Sequence, residues 1–336
     1  MESVVTDAGR SPHDTHFMWL EITSNCQLEC SHCYAASGPG QGHGNVSADQ
    51  WMQTLTEAST AGVQQIQFIG GEPTSHPALP RLITHARHLG LRVEVFSNLF
   101  SIREHVWQVL AQPDVSLATS YYSSGAAVHD QVTGRTGSYG RTRANIAEAV
   151  QRDIPIRVGL IRFSEGQDVD AAVEELVNIG VHRGAISVDD QRGVGRARGS
   201  GACTTEDDLC GKCAGGVLAI MPDGTVQPCV FSRDSRFKVG NIFAQNLTSV
   251  LKGERLHQMR EDLSSVFLKR GLIGADCSPA ELTGPQNGGP ACSPACAPVG
   301  NCNPVVNPSP CNPVAGHPPR PEPEPRPPGP VCGPYK

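Results

Sequence analysis

Short apolar runs alternate with helix-like stretches from residue 17 to about residue 190 of the chain. The apolar runs have the length of buried strands and lie at 18–23, 65–69, 92–97, 115–120, 156–163 and 185–188. Helical stretches between them lie at 78–89, 103–110, 140–152 and 169–179. Another helix is predicted to begin after Ser47, because a serine N-cap followed three positions later by Gln50 is typical of a capping box.

Alternation of strand and helix predicts parallel βαβ units joined by right-handed crossovers. Six such units between residue 17 and about residue 190 suit an α/β fold with a partial (β/α)6 barrel. Ligands of such sheets bind at the carboxyl ends of the strands. Residues that directly follow the predicted strands are therefore the candidates for chemistry.

Three cysteines, Cys26, Cys30 and Cys33, follow the first predicted strand with the spacing C-x3-C-x2-C. A cubane 4Fe-4S cluster normally takes four thiolates, so a loop that offers three leaves one iron open for a non-protein ligand. The alternatives are a zinc knuckle and disulfides. Zinc favours paired C-x2-C halves and a closed set of four ligands, whereas this loop contains one such pair and an odd cysteine. The spacing therefore favours the cluster.

A second motif, Gly70-Gly71-Glu72 followed by proline and threonine, comes directly after the predicted strand 65–69. Two glycines at a strand end let the backbone approach a ligand closely, and a glutamate carboxylate can hold an ammonium group. Alone, the run would be an ordinary turn. After the three-cysteine loop, it resembles the radical S-adenosylmethionine (SAM) family.

The resemblance implies that the three cysteines bind the cluster and that the open iron chelates the amino and carboxylate groups of SAM. It also implies that Glu72 and the backbone of Gly70 and Gly71 hold the methionine amino end. Tyr34, directly after the last cysteine, matches the aromatic position that packs beside the adenine. Simple core packing is the alternative for Tyr34.

Other strand ends provide further candidate contacts. Ser97 and Asn98 follow a predicted strand and resemble the ribose- or carboxylate-contacting strand end of the family, and Arg162 lies at the end of another strand. Turn capping or a surface ion pair is the alternative for these three residues. The segment 129–138 also resembles a part of family members with extra clusters, and we expect it to shape the substrate mouth and to start the next helix, without a chemical role.

Composition limits the classes of function. The chain has 336 residues and a net charge of −6, and its pI is near 6.0, so no basic face for nucleic acid is expected. The N-terminal residues have no signal-peptide pattern, and no apolar run approaches the ~18 residues of a membrane span. The sequence thus predicts a cytoplasmic protein without a membrane or nucleic-acid partner.

Thirteen cysteines without a secretion signal indicate metal or redox chemistry before disulfides. After the first loop none occurs until Cys203, and Cys213 and Cys229 then flank an apolar hairpin pattern with an Asp-Gly turn at 223–224. A hairpin brings its ends together, so these two cysteines are predicted to meet. Cys210 is placed to add a further thiolate.

This C-x9–15-G-x4-C pattern resembles the opening of the SPASM and twitch extensions, which house auxiliary iron–sulfur clusters. If the resemblance continues, it implies a first auxiliary cluster on Cys210, Cys213, Cys229 and Cys311, and a second on Cys292, Cys296, Cys302 and Cys332. Cys203 and Cys277 are then left over, and two gaps are longer than in a full SPASM extension. The alternative for Cys332 is a free thiol, since residues 303–336 contain 13 prolines and favour extended or disordered chain.

The predicted organisation is an N-terminal segment (1–16), a barrel (17–200), a cysteine-rich, mostly irregular auxiliary-cluster domain (201–316) and a proline-rich tail (317–336). The resemblance implies reductive cleavage of SAM to a 5′-deoxyadenosyl radical that abstracts hydrogen from a substrate. A ribosomally synthesised peptide that is cross-linked or epimerised is the leading substrate.

The resemblance also implies an electron donor of the flavodoxin or ferredoxin type. About 16 residues precede the first strand, too few for a winged-helix leader-binding domain, so we expect a separate leader-recognition protein or capture by the C-terminal extension. The alternatives are a small-molecule dehydrogenase, a sulfatase-maturing type of enzyme, and a non-catalytic iron–sulfur scaffold or electron carrier.

Overall fold

The computed structural model describes residues 14–164, 167–198 and 205–270. Its strands are β1 (Phe17–Glu21), β2 (Gln65–Ile69), β3 (Arg92–Phe96), β4 (Val115–Tyr121), β5 (Ile156–Arg162), β6 (Ile186–Asp190), β7 (Val217–Ile220), β8 (Thr225–Gln227) and β9 (Gly240–Asn241). Its α-helices are α1 (Ala48–Thr60), α2 (Leu79–His88), α3 (Glu104–Leu110), α4 (Ala126–Thr133), α5 (Ser138–Gln151), α6 (Val169–Ile179), α7 (Leu247–Leu251) and α8 (Glu254–Lys269). Short 3-10 helices lie at Pro73–Ser75, Arg183–Ala185, Gly195–Arg198, Glu206–Asp208 and Ser235–Phe237.

One sheet contains all these strands in the order β6-β5-β4-β3-β2-β1-β7-β8-β9. Neighbouring strands from β6 to β7 are parallel, as the strand–helix alternation predicts. The predicted α/β class is confirmed, and each of the six predicted strands is present with ends shifted by at most two residues. Three of the described helices, α4, α7 and α8, lie in stretches for which the apolar pattern predicts no helix.

Helix α1 illustrates how local sequence fixes an element. The Ser47 hydroxyl accepts a hydrogen bond from the Gln50 N–H at 3.2 Å, and the Gln50 side chain accepts one from the Ser47 N–H at 2.9 Å. This capping box stabilises the first turn by about 1 kcal/mol. The fully buried Trp51 and Leu55 then face the sheet.

The predicted hairpin is present as β7 and β8, which pair in antiparallel orientation. Its first strand also pairs in parallel with β1, so Phe17 lies opposite Val217 at the edge of the barrel sheet. The described start of the second cysteine block therefore extends the same sheet. The division into domains at residues 16, 200 and 316 stays a prediction. In the described ranges no helix is both long enough and apolar enough to cross a membrane.

Candidate functional site

The three-cysteine loop leaves the carboxyl end of β1 and forms one wall of a cavity. Cys26, Cys30 and Cys33 all line this cavity, hereafter the cysteine cavity. Two donors already point at the first thiol, because the Leu28 N–H and the Asn98 side-chain amide each lie 3.4 Å from the Cys26 Sγ. Such N–H donors favour a thiolate, which is the form that ligates metal.

The environment of the thiols fits a ligand set that needs a bound cation. Burial, together with the Glu72 carboxylate, raises the pKa of Cys26 to about 12. Burial and the two neighbouring cysteines raise the pKa of Cys30 above the ordinary thiol range. Cys26 and Cys30 therefore resist joint ionisation without a positive partner, and iron supplies one. Across the described ranges no three side chains converge on the position of a single metal ion, but a cubane presents a separate iron to each thiolate.

Gly70 and Gly71 follow β2 and also line the cysteine cavity. Gly70 has φ = 148°, and a Cβ atom there would overlap the carbonyl oxygen of Thr23. A Cβ atom on Gly71 would overlap the carbonyl oxygen of Asn25. The two glycines therefore let the end of β2 lie directly against the chain segment that enters the cysteine loop.

Glu72 lies behind this wall and does not line the cavity in the described structure. Its carboxylate is 1% exposed and accepts four hydrogen bonds. These come from the Thr74 N–H (3.0 Å), the Thr74 hydroxyl (2.6 Å), the Ser97 hydroxyl (2.8 Å) and the Asn98 N–H (2.8 Å). Burial outweighs these bonds and raises the pKa of Glu72. The carboxylate thus joins the end of β2 to the end of β3.

Asn98 is placed in the cavity by this junction, whereas Ser97 is fully buried, and its hydroxyl donates to Glu72 and accepts from the Leu99 N–H. The Asn98 side-chain oxygen accepts hydrogen bonds from the Gln27 side chain at 3.1 Å and from the Phe100 N–H at 2.9 Å. With the oxygen held in this way, the side-chain NH₂ group of Asn98 is turned toward the Cys26 sulfur. Asn98 therefore orients the first cysteine of the loop.

Tyr34 lines the cavity and stands between the two cysteine blocks. Its ring packs edge-on against Phe231 at 5.3 Å, and the Arg233 guanidinium lies over it at 5.1 Å. Arg233 also donates a 2.5 Å hydrogen bond to the buried Glu21. Tyr34 therefore has both the cavity position that the resemblance implies and the packing role that is its alternative.

Arg162 lies away from the cysteine cavity. Its Nε donates to Asp190 at 2.7 Å, and its side chain is 45% exposed. It lines a second cavity together with Gln167 and Asp168. This geometry matches the surface ion pair that the sequence left open, because β5 and β6 are neighbours and their last residues lie opposite each other.

The segment 129–138 supports the cysteine loop instead of remaining separate from it. The backbone N–H groups of Glu29 and Ser31 donate to the carbonyl oxygens of Thr133 and Val132 at 3.0 and 2.9 Å. The Arg135 side chain donates to the Gln27 carbonyl at 3.0 Å. The segment starts α5, as expected, and also ends α4, which was not predicted. Its bonds hold the outer side of the cysteine loop.

Two arginines after β6 were missed by the sequence reasoning. Arg196 donates to the carbonyl oxygens of Cys30 and Ser37, the second at 2.6 Å, and so fixes the inner side of the cysteine loop. Arg192 lines the cysteine cavity and is 7% exposed. The rule that selected Arg162, proximity to a strand end, applies equally to Arg192, which follows β6 by two residues.

The second cysteine block meets at the hairpin ends as predicted. The Cys213 and Cys229 sulfur atoms are 3.0 Å apart, and none of the three described cysteines of the block forms a disulfide. Hydrogen bonds with Cys210 and Cys229, and burial, raise the pKa of Cys213. The remaining candidate ligands, Cys292, Cys296, Cys302, Cys311 and Cys332, and the unassigned Cys203 and Cys277, lie outside the described residues.

Family models match both the part of the chain with the cysteine loop and the second cysteine block. The Radical SAM superfamily model matches residues 20–189, which run from the end of β1 through the cysteine loop into β6. A model described as an iron–sulfur cluster-binding domain, SPASM, matches residues 210–277.

Curated relatives include peptide-maturation proteins. The sporulation killing factor maturation protein SkfB of Bacillus subtilis is 31% identical over 163 residues, which cover 48% of this chain and 39% of the relative. The antilisterial bacteriocin subtilosin biosynthesis protein AlbA of B. subtilis is 24% identical over 272 residues, 71% of this chain and 60% of the relative. The chain thus spans about two fifths to three fifths of the length of these relatives.

Among solved structures, SuiB of Streptococcus suis bound to its precursor peptide SuiA superimposes with a TM-score of 0.58. The sequence identity is 16%, and the match covers 73% of this chain and 66% of SuiB. SuiB bound to S-adenosylmethionine matches with a TM-score of 0.59 at 17% identity, over 72% of this chain and 67% of SuiB. At this identity the likeness establishes the shared fold.

Proposed function

The chain belongs to the radical SAM superfamily, and on that premise we propose that it is a peptide-modifying radical SAM enzyme that cross-links or epimerises a ribosomally synthesised peptide. The observation that carries the proposal is the convergence of Cys26, Cys30 and Cys33 on one cavity with Gly70 and Gly71.

The three cysteines of the loop would hold the 4Fe-4S cluster, and the Gly70-Gly71 wall, Glu72, Asn98 and Tyr34 are the residues we assign to SAM. When bound, the cluster and SAM supply reductive cleavage of SAM and a 5′-deoxyadenosyl radical for hydrogen abstraction. The protein itself positions and shields these groups.

Positioning of the loop comes from both sides. The Thr133 carbonyl accepts from Glu29 on the outer side, and the Arg196 side chain binds the Cys30 carbonyl on the inner side. Within the cavity, the Asn98 amide directs a hydrogen bond at Cys26. These contacts fix thiol directions before any cofactor binds, which reduces the ordering cost of assembly.

Exclusion of water follows from the aromatic lining on the side of the second block. Tyr34 and Phe231 pack against each other, and Phe231 is 4% exposed. A closed apolar wall protects reactive species from solvent. Because Phe231 follows Cys229 by two residues, this wall also ties the second cysteine block to the site.

We propose that Cys210, Cys213 and Cys229 contribute to an auxiliary iron–sulfur cluster. The support is the match to the SPASM model and the contact between Cys213 and Cys229. The fourth ligand, and any second auxiliary cluster, would come from cysteines after residue 270. Arg162 is not retained as a SAM contact, because it lines the second cavity and its Nε donates to Asp190.

A peptide substrate is supported by the relatives: SkfB and AlbA are described as maturation or biosynthesis proteins, and SuiB was solved with a precursor peptide. We also propose a separate leader-recognition protein and a one-electron donor of the flavodoxin or ferredoxin type as partners.

The proposed function is tested by SAM turnover in the anaerobically reconstituted, reduced protein. The wild type should form 5′-deoxyadenosine, and replacement of the three loop cysteines by Ala should abolish it. A matched variant with Cys213 and Cys229 replaced should lose auxiliary-cluster iron yet keep SAM cleavage, which separates the two cysteine blocks. Turnover that survives loss of the loop cysteines would contradict the proposal, and a wild type that binds iron without cleaving SAM would favour a non-catalytic scaffold.

A further inference from the structure

A buried arginine lies in the wall of the cysteine cavity. Arg192 follows β6 by two residues, at the same sheet edge as the cysteine loop and Gly70-Gly71. Only 7% of the residue is exposed. Its Nε, Nη1 and Nη2 atoms have no hydrogen-bond partner among the residues that the structure describes.

Two other arginines of this region, both partly buried, donate hydrogen bonds to protein groups. Arg233 donates to Glu21 at 2.5 Å, and Arg196 donates to two carbonyl oxygens of the cysteine loop. Arg192 instead stacks on the ring of Phe231, with its guanidinium carbon 4.3 Å from the ring centre. The cation–π contact holds the plane of the guanidinium but satisfies none of its N–H donors.

Among the described residues, no acidic neighbour is an ion-pair partner of Arg192. Asp190, which also lines the cavity, accepts the Arg162 Nε at 2.7 Å and is 57% exposed. An unpaired buried cation destabilises a fold, so its persistence indicates a partner that arrives with a ligand. The guanidinium is a planar fork that matches a carboxylate with two parallel hydrogen bonds. A single cation beside three thiols suits a monoanion better than a doubly charged phosphate.

We propose that Arg192 is the carboxylate-binding residue of the cysteine cavity. The inference rests on the proposed function, which supplies two sources of a carboxylate: the methionine end of SAM and an acidic group of the substrate. Arg192 binds either carboxylate directly, and the stacking contact with Phe231 holds its guanidinium in place.

The test uses the cluster-loaded protein without reductant, so that no ligand is consumed. Calorimetry compares SAM with decarboxylated SAM, which lacks only the carboxylate. In parallel, ligand-observed NMR compares N-acetylglutamate α-amide with the corresponding glutamine diamide. Each pair is measured on the wild type, Arg192→Gln and Arg192→Lys.

We expect Arg192→Gln to weaken binding of one carboxylate ligand by roughly tenfold or more, as for hydrogen bonds to a charged group, and to leave binding of the matched carboxylate-free ligand unchanged. Loss confined to SAM assigns the methionine carboxylate, and loss confined to the glutamate amide assigns the substrate. Arg192→Lys should recover part of the affinity, because it keeps the charge without the fork.

Arg196→Gln is the matched control, since Arg196 also contacts the site region but donates hydrogen bonds to two backbone carbonyls. It should lower the melting temperature and weaken each pair of ligands alike. Arg192→Gln should melt close to or above the wild type, because no protein hydrogen bond is lost.

Two results would overturn the assignment: equal losses of affinity for the carboxylate ligand and the carboxylate-free ligand of both pairs, or a melting temperature that falls as far as in Arg196→Gln. A wild-type protein that does not bind SAM would refute the proposed function. In that case, selective loss of the glutamate amide in Arg192→Gln would still support Arg192 as a carboxylate site.

Discussion

Replacement of Glu72 by Gln separates two roles for this residue. Its carboxylate receives all four hydrogen bonds from the protein itself, three on Oε1 and one, from the Asn98 N–H, on Oε2. The family resemblance assigns the same carboxylate to the amino end of SAM. A bracing role predicts loss of stability, whereas a ligand contact predicts loss of SAM affinity alone.

The magnitude follows from the hydrogen bonds that glutamine can keep. Its oxygen can replace Oε1, but its NH₂ group then faces the Asn98 N–H, so one bond to a charged acceptor, worth about 1.5–3 kcal/mol, is lost. Removal of a buried charge offsets part of this loss, since burial raises the pKa of Glu72. We expect a net destabilisation of about 2 kcal/mol, which lowers the melting temperature by roughly 4–8 °C in a domain of this size.

The assay is thermal unfolding of the reconstituted protein, paired with calorimetry of SAM binding. Glu29→Gln is the control, because Glu29 lies on the cysteine loop with its side chain exposed, and it should leave stability within ~0.5 kcal/mol of the wild type. If Glu72→Gln unfolds like the wild type but loses SAM affinity, the bracing interpretation is refuted and direct contact with SAM is supported. Unchanged stability and unchanged affinity would remove Glu72 from the site altogether.

Three further outcomes are expected. The variant with all three loop cysteines replaced by Ala should retain iron and cluster absorbance from the second block, and a colourless, iron-free protein would contradict an auxiliary cluster. Truncation after Gly316 should lower the iron content if Cys332 is a cluster ligand, because thiolate ligation contributes to folding. If the truncated protein keeps its iron, and Cys332 of the full-length holo-protein reacts readily with a thiol reagent, Cys332 is a free thiol. Gly71→Ala should lower the melting temperature and the rate of SAM cleavage, because the added Cβ would overlap the Asn25 carbonyl. Gly140→Ala is the control: its Cβ lies in open space within α5, so its stability should be unchanged or slightly higher. Equal melting temperatures for both alanine variants would contradict the close-approach argument.

The order of strands and helices and the identity of the two motifs were accessible from sequence. The capping box at Ser47 and the hairpin between Cys213 and Cys229 were confirmed, because both depend on residues near each other in the chain. Helix α4 was missed, since its eight residues bury only His129 and Thr133 and so carry a weak periodic pattern.

The partners of side chains at strand ends were decided by tertiary structure alone. Arg162 and Arg192 both follow strands, yet one pairs with Asp190 and the other faces the cysteine cavity. Which way such a residue points depends on the neighbouring strand and its register, and these involve residues far apart in the chain. The same holds for the pairing of β7 with β1.

Glu72 shows the physical reason most clearly. The sequence by itself determined that a carboxylate follows two glycines at a strand end, and that this run belongs with the three-cysteine loop. It did not determine that Ser97 and Asn98, 25 and 26 positions further on, donate hydrogen bonds to that carboxylate. A motif specifies which chemical groups are present, but only the packed sheet decides which of their hydrogen bonds are taken by the protein and which, as at Arg192, are left for a ligand.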